Sequence, residues 1–180
     1  MYLFLIRGLV ASVWAVAFAA VADDLTTDVP LAAALLLVLY PLIDVVASLI
    51  DARTERGSAR QVLLYGAATS TIAAVALAVA ATGTASNALA VFGVWAFVSG
   101  AAQLITALRR RERFGSQWPM LLAGGISVIG GVAFVIASTM TAPMLSMLAI
   151  YAATGGIEFV IQAWLLSRRR RRMSTLPAEA

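Results

Sequence analysis

The sequence contains no cysteine and no histidine. Their absence excludes disulfides, thiol catalysis, and any metal or haem site built on Cys or His. Lysine is missing as well, so all thirteen basic residues are arginine. Charge of either sign is scarce, at 12% of residues against 62% hydrophobic, and mean hydropathy is +0.92. Soluble domains carry about twice that charge, and a water-facing surface is hard to build from this composition. No phosphate-binding glycine loop, nucleophile elbow or metal motif occurs, so no catalytic residue, metal ligand or cofactor is assigned and enzymatic activity is not expected.

Long apolar runs are what the chain does have. Six stretches can be cut at the charges: Gly8–Ala22 (with Tyr2–Ile6 completing its length), Val29–Ile50, Gln61–Ala81, Ala88–Leu108, Trp118–Ser138 and Pro143–Leu166. A helix needs roughly 20 apolar residues to cross a bilayer. The runs are continuous, not alternating as barrel strands must be. The expectation is an all-α integral membrane protein with six transmembrane helices, forming one domain over residues 1–180. AFAAVADD near the first stretch resembles a signal-peptidase site, but Arg7 follows apolar residues instead of opening a basic segment. The first stretch is therefore expected to remain part of the protein.

The connectors fall into two kinds. ADDLTTD, TGTASN and STMTA carry no arginine, whereas DARTERGSAR, RRRERFGSQ and SRRRRRM carry nearly all of it. With alternating spans every arginine lies on one face, and the positive-inside rule places both termini in the cytoplasm. For a bacterial chain the expected location is the cytoplasmic (inner) membrane. Arg168, Arg169, Arg170, Arg171 and Arg172 directly follow a span, which reads as a topology signal that also touches anionic lipid. A nucleic-acid partner is not expected.

Gly8, Gly66 and Gly124 are spaced by 58 and again by 58. That period divides the chain into three parallel helical hairpins, 1–58, 59–116 and 117–172, with a short tail at 173–180. Ala96 and Gly100, Ala152 and Gly156, and Ser127 and Gly131 each stand four apart. Such small-residue pairs let helix backbones approach closely in lipid. Packing within the chain is the main reading, with a homo-oligomer contact as the alternative.

GVWAFVSGAAQLITALRRR and AIYAATGGIEFVIQAWLLSRRRRR share a pattern of glycine, aliphatic and aromatic residues, then glycine, then Gln or Glu. Trp95, Gly100 and Gln103 fit it, as do Tyr151, Gly155 or Gly156, and Glu158. Over roughly Gln61 to Arg172 the chain resembles the HdeD-like family of bacterial inner-membrane proteins. The first unit diverges, with Tyr40, Pro41 and Asp44 where the motif would fall. The resemblance implies a six-span protein associated with acid or general stress resistance, and it carries over no catalytic residues.

Asp44, Gln103 and Glu158 interrupt the even-numbered spans, roughly 8–12 Å from their arginine-bearing ends at ~1.5 Å per residue. A charge at that depth costs ~2.5–3.5 kcal/mol on insertion scales, so it is paired, neutralised or exposed to a cavity. Two readings follow: a cluster in which Asp44 and Glu158 take and release protons, or hydrogen bonds that fix helix register. The function expected from the resemblance is acid or stress resistance, with a small transporter or channel and a membrane scaffold as the alternatives. Pro41 is expected to kink the second span, and Trp118 and Trp164 to anchor span ends at the interface.

Overall fold

The computed structural model of the chain describes residues 2–22, 24, 27–114 and 118–174. Six helices form among them: α1 Tyr2–Val21, α2 Leu31–Thr54, α3 Gly57–Ala80, α4 Ala85–Phe114, α5 Trp118–Ala137 and α6 Met147–Ser174. No strand forms among the described residues; Asp28 and Thr84 make one isolated bridge. Five helices are long and apolar enough to cross a membrane, and α1 carries a shorter apolar run, Leu5–Val21.

The apolar runs set where these helices lie, and backbone chemistry sets where they stop. Pro30, which cannot donate a backbone N–H, immediately precedes α2. The chain leaves α2 through extended Glu55 and Arg56 and re-enters a helix at Gly57, whose φ of 60° suits glycine. At their arginine-bearing ends α4 and α6 run past the apolar stretches into the arginine runs. Arginine is a good helix former and does not break the ladder. The stretch expected to begin at Pro143 starts its helix only at Met147.

Each helix packs against the next in the chain, and α6 closes the circuit on α1. The intimate pairs are α4 with α5, α2 with α3, and α6 with α1. These pairs join different hairpins of the sequence period. Within the expected hairpins, α1/α2, α3/α4 and α5/α6, contact is sparser.

Small residues make the intimate seams. A methyl on Gly131 would sit 2.5 Å from the backbone N of Phe97 and 2.6 Å from the carbonyl O of Gly93. One on Gly100 would meet the Gly124 carbonyl O at 2.7 Å, and one on Gly8 the Gly156 carbonyl O at 3.0 Å. At these seams the small residues face inward. Ala96, Ala107 and Ala152 are fully buried, while Val16, Ile129 and Ile150 are over 70% exposed. An outer surface of large aliphatic side chains suits hydrocarbon, where close backbone contact drives helix association.

The two ends of the bundle differ. At one end lie the connectors free of arginine, and they are laced together. Ala85 N–H donates to Thr27 O at 2.8 Å, and Ser146 N–H donates to the Asp24 carboxylate at 3.0 Å. The half below this loop end is filled by Phe18, Leu37, Leu77, Leu89, Phe92, Leu145 and Leu148, all 0% exposed. The arginine end, towards which Arg7, Arg53, Arg109 and Arg168 lie, has mostly alanine, serine and glycine in its interior.

Candidate functional site

Between the sealed loop half and the arginine end, every helix contributes a polar side chain to one interior region. On α3, Ser70 is buried and donates to Asp44 Oδ2 on α2 at 2.7 Å. Trp95 on α4 donates its indole N–H to the same Ser70 Oγ at 3.1 Å. A buried acceptor chain Trp95–Ser70–Asp44 therefore crosses three helices and satisfies each donor in turn. From α1, Arg7 donates to Asp51 Oδ2 at 2.9 Å, with both side chains partly accessible. Arg7 and Asp51 also lie within electrostatic reach of Asp44.

The second carboxyl belongs to the same region. Tyr151, two helical turns before Glu158 on α6, bonds Ser127 on α5 through their hydroxyls at 2.9 Å. Tyr40 lies within electrostatic reach of Asp44, Glu158 and Tyr151. A methyl on Gly155 would come within 3.8 Å of the Tyr40 hydroxyl. Glu158 is half-buried, and its Oε1 is buried without a hydrogen-bond partner, as is Arg7 Nε. Leaving such atoms unmatched is costly, so Glu158 Oε1 stands ready for a proton or another donor, and the Arg7 Nε–H for a water or another acceptor.

An aromatic hub closes the region on the loop side. The Phe92 ring meets Tyr40, Phe134 and Tyr151, each at 5.8 Å between centroids, and Trp95 at 5.2 Å. Trp14 stacks on Phe18 at 4.7 Å and tilts against Tyr40 at 4.5 Å. Its indole donates to Leu36 O at 2.7 Å, beside the Leu37 carbonyl that Pro41 leaves without a helical donor. Trp118 and Trp164 are 46% and 51% exposed, as residues anchored at an interface would be.

Asp44 and Glu158 are thus linked through Tyr40 and Tyr151, each within electrostatic reach of both, whereas Gln103, expected as the third member, is exposed and does not join them. The helix contacts explain why. Gly156 packs on Gly8, Gly100 on Gly124, and Ser48 is the nearest group to Gly66. This register sets Asp44 level with Ala96 and Ala152; Gln103 lies two turns nearer the arginine end, level with Asp51 and beside the level of Glu158, but on the exposed side of α4. Counting inward from the apolar boundaries gives depth and not face, and it is the face of α4 that sets Gln103 apart.

The glycines singled out by spacing all lie at seams, though Gly66 is loose. Ala96 and Ala152 are fully buried, and Gly131 faces Gly93 and Phe97. Ser127 both flanks Gly100 and reaches Tyr151. Arg168 lies 3.9 Å from the Trp164 ring centroid, a cation–π contact. The side chains of Arg169–Arg172 lie outside the described residues. Sequence reasoning missed Arg7, Asp51, Tyr40 and Tyr151 as members of the site. The interval of seven between Tyr151 and Glu158, which puts both on one face, was the available signal.

The class this architecture defines is a multi-pass helical membrane protein. Residues 66–136, from Gly66 on α3 to Ile136 on α5, match the family described as a short repeat of unknown function (DUF308). No curated protein and no solved structure matches the chain.

Proposed function

We propose that this chain is a non-enzymatic bacterial inner-membrane protein of the HdeD-like kind, serving acid or general stress resistance through proton binding at Asp44 and Glu158. The observation that carries this reading is the convergence of the two carboxyls about Tyr40 and Tyr151, with one Glu158 oxygen buried and unpartnered. Adding or removing a proton there changes the hydrogen bonds available between α2, α3 and α6. Helix packing then responds to pH.

The 58-residue period and the seam register fit three parallel repeats, and DUF308 is the family of HdeD-like membrane proteins. The arginine distribution supports cytoplasmic termini, with the polar region nearer the cytoplasmic face. The aromatic hub and the apolar loop half argue against a continuous aqueous path, which makes a sensor a better reading than a channel. At the α6 terminus the arginines would meet anionic lipid headgroups.

The test is acid survival of cells carrying Asp44→Asn with Glu158→Gln, alongside wild type at matched expression. Loss of protection is the expected result. Survival equal to wild type would overturn the proton-binding role. Proton or solute flux through liposomes holding the purified protein, abolished in the same double variant, would replace the sensor with a transporter.

A further inference from the structure

The seams of the bundle are unequal, and their inequality isolates two helices. α1 and α6 are locked together. A methyl on Gly156 would meet Ser12 Oγ at 2.7 Å, and one on Gly8 would meet both the Gly156 carbonyl O and Val160 Cγ2 at 3.0 Å. The seams that join this pair to its neighbours, α1/α2 and α5/α6, are the sparsest in the circuit. At α5/α6 an open apolar surface groove of about 310 Å³ runs between Ile126, Ile129 and Gly130 on one side and Met147, Ile150 and Tyr151 on the other. The connectors on either side of the pair, 22–30 and 138–146, are the longest in the chain; residues 55–56 and 81–84 link α2–α3 and α3–α4.

The ties across these seams are unevenly distributed along the bundle. At the loop end, Asp24 binds the Ser146 backbone and residues 27–28 pair with 84–85, joining all three connectors. At mid-depth, Trp14 donates to Leu36 O and Tyr151 bonds Ser127. Towards the arginine end the tie is Arg7 to Asp51 at 2.9 Å. Beside this latch the Arg7 guanidinium lies over the Phe159 ring at 5.9 Å, with its Nε buried and unpartnered.

We propose that α1 and α6 form one rigid body that pivots on the laced loop end and swings at the arginine end, with Arg7–Asp51 as the latch. Opening separates α1 and α6 from α2 and α5 and admits water to Asp44 and Glu158. Arg7 and Asp51 lie within electrostatic reach of Asp44 on α2, and the polar region adjoining the latch holds Tyr40, also from α2, with Tyr151 and Glu158 from α6. From α3, α4 and α5 the region receives Ser70, Trp95 and Ser127. Removing the Asp51 carboxylate by substitution releases Arg7 to swing towards Glu158, the other side chain with an unmatched buried atom. This deepens the proton-binding reading and rests on it for its physiological meaning, although the motion is measurable alone.

The absence of cysteine makes spin labelling direct. Exposed pairs report the two ends: Leu9→Cys with Val46→Cys for the arginine half, and Val16→Cys with Leu35→Cys for the loop half. Val94→Cys with Val132→Cys spans the rigid α4/α5 seam as a control. Distances would be measured in lipid nanodiscs by pulsed electron resonance, in otherwise wild-type protein and with Asp51→Asn. The expected result is that Asp51→Asn lengthens the Leu9–Val46 distance by several ångströms and leaves the other two unchanged. An unchanged Leu9–Val46 distance overturns the latch, and an equal change in the Val16–Leu35 pair overturns the pivot. If Asp51→Asn loses helicity, Arg7→Gln removes the same tie and decides the matter. Opening in the labelled protein, together with normal acid survival of the Asp44→Asn, Glu158→Gln variant, would keep the pivot and reject the proton reading. Full loss of survival with no opening would do the reverse.

Discussion

The α4/α5 and α2/α3 seams are both close helix pairs, yet they are joined by different means. Along α4/α5, Gly93 meets Gly131 and Gly100 meets Gly124, so backbone lies on backbone with no room for a methyl. Along α2/α3 Ser48 stands beside Gly66, and the nearest atom to a methyl on Gly66, the Ser48 hydroxyl oxygen, is 3.9 Å away. The looser seam hosts the Ser70–Asp44 bond. Where backbones touch, the polar side chain beside them is no larger than serine, as Ser127 is beside Gly100. Where they stand apart, a carboxyl can be inserted and hydrogen-bonded. Packing and chemistry are thus allotted to different seams of one bundle.

Overfilling the tight seam should break this contrast most severely. Gly131→Ala places its methyl against Phe97 N and Gly93 O, which are main-chain atoms and cannot turn aside. The two helices must separate, and overpacking of this kind costs ~1–3 kcal/mol. Thermal unfolding in detergent should show a clear loss, with Gly131→Leu worse still. A stability equal to wild type would mean that the α4/α5 seam is not held by backbone contact.

On the loose seam the largest effect should come from Ser70→Ala. The hydroxyl both receives from Trp95 and donates to Asp44, so its removal strands an indole N–H and a carboxyl oxygen. Interhelical hydrogen bonds in membrane proteins average about 0.6 kcal/mol with a maximum near ~1.7. Two bonds lost together put Ser70→Ala at ~1–2 kcal/mol by the same scale. A double-mutant cycle with Asp44→Asn should give non-additive losses. Additive losses would mean that Ser70 and Asp44 do not act as a pair.

Gly8 lies between these extremes and sharpens the comparison. Its methyl would meet Val160 Cγ2 and Gly156 O at 3.0 Å, so one obstacle is a side-chain end and the other is backbone. Gly8→Ala should cost less than Gly131→Ala, about 1 kcal/mol within the overpacking range. Pairing it with Val160→Ala should recover part of the loss. No recovery would place the whole cost on the Gly156 carbonyl.

These differences mark how far the sequence can be read. The six helices were legible because arginine and short polar runs cut continuous apolar stretches. The period of Gly8, Gly66 and Gly124 pointed to real contact positions. On the even helices Gly100 and Gly156 were legible as close-approach positions, but Ser48 was not, because the three are spaced by 52 and then 56 and follow unequal connectors. Gln103 was grouped with Asp44 and Glu158 by depth alone, while the packing turns it to the exposed side of α4. Thr69, Ser70 and Thr71 were visible as a polar run on α3. Sequence could not say which of them turns inward: Thr69 and Thr71 bond their own helix, and only Ser70 reaches across.

The smallest expected effect also tests the comparison most finely. Gly66 shares the period of Gly8 and Gly124, so spacing alone would assign it the same intolerance. The structure leaves ordinary van der Waals room for a methyl there, with Ser48 Oγ at 3.9 Å as its neighbour. Replacing an interior helical glycine by alanine gains ~0.5–1 kcal/mol from backbone entropy alone. Against that stands only a mild contact with a serine hydroxyl, so Gly66→Ala should leave unfolding unchanged or raise it slightly. A loss as large as that of Gly131→Ala would show that α2 and α3 close to backbone contact in the bilayer. The room that Asp44 and Ser70 occupy would then be narrower than the present geometry gives.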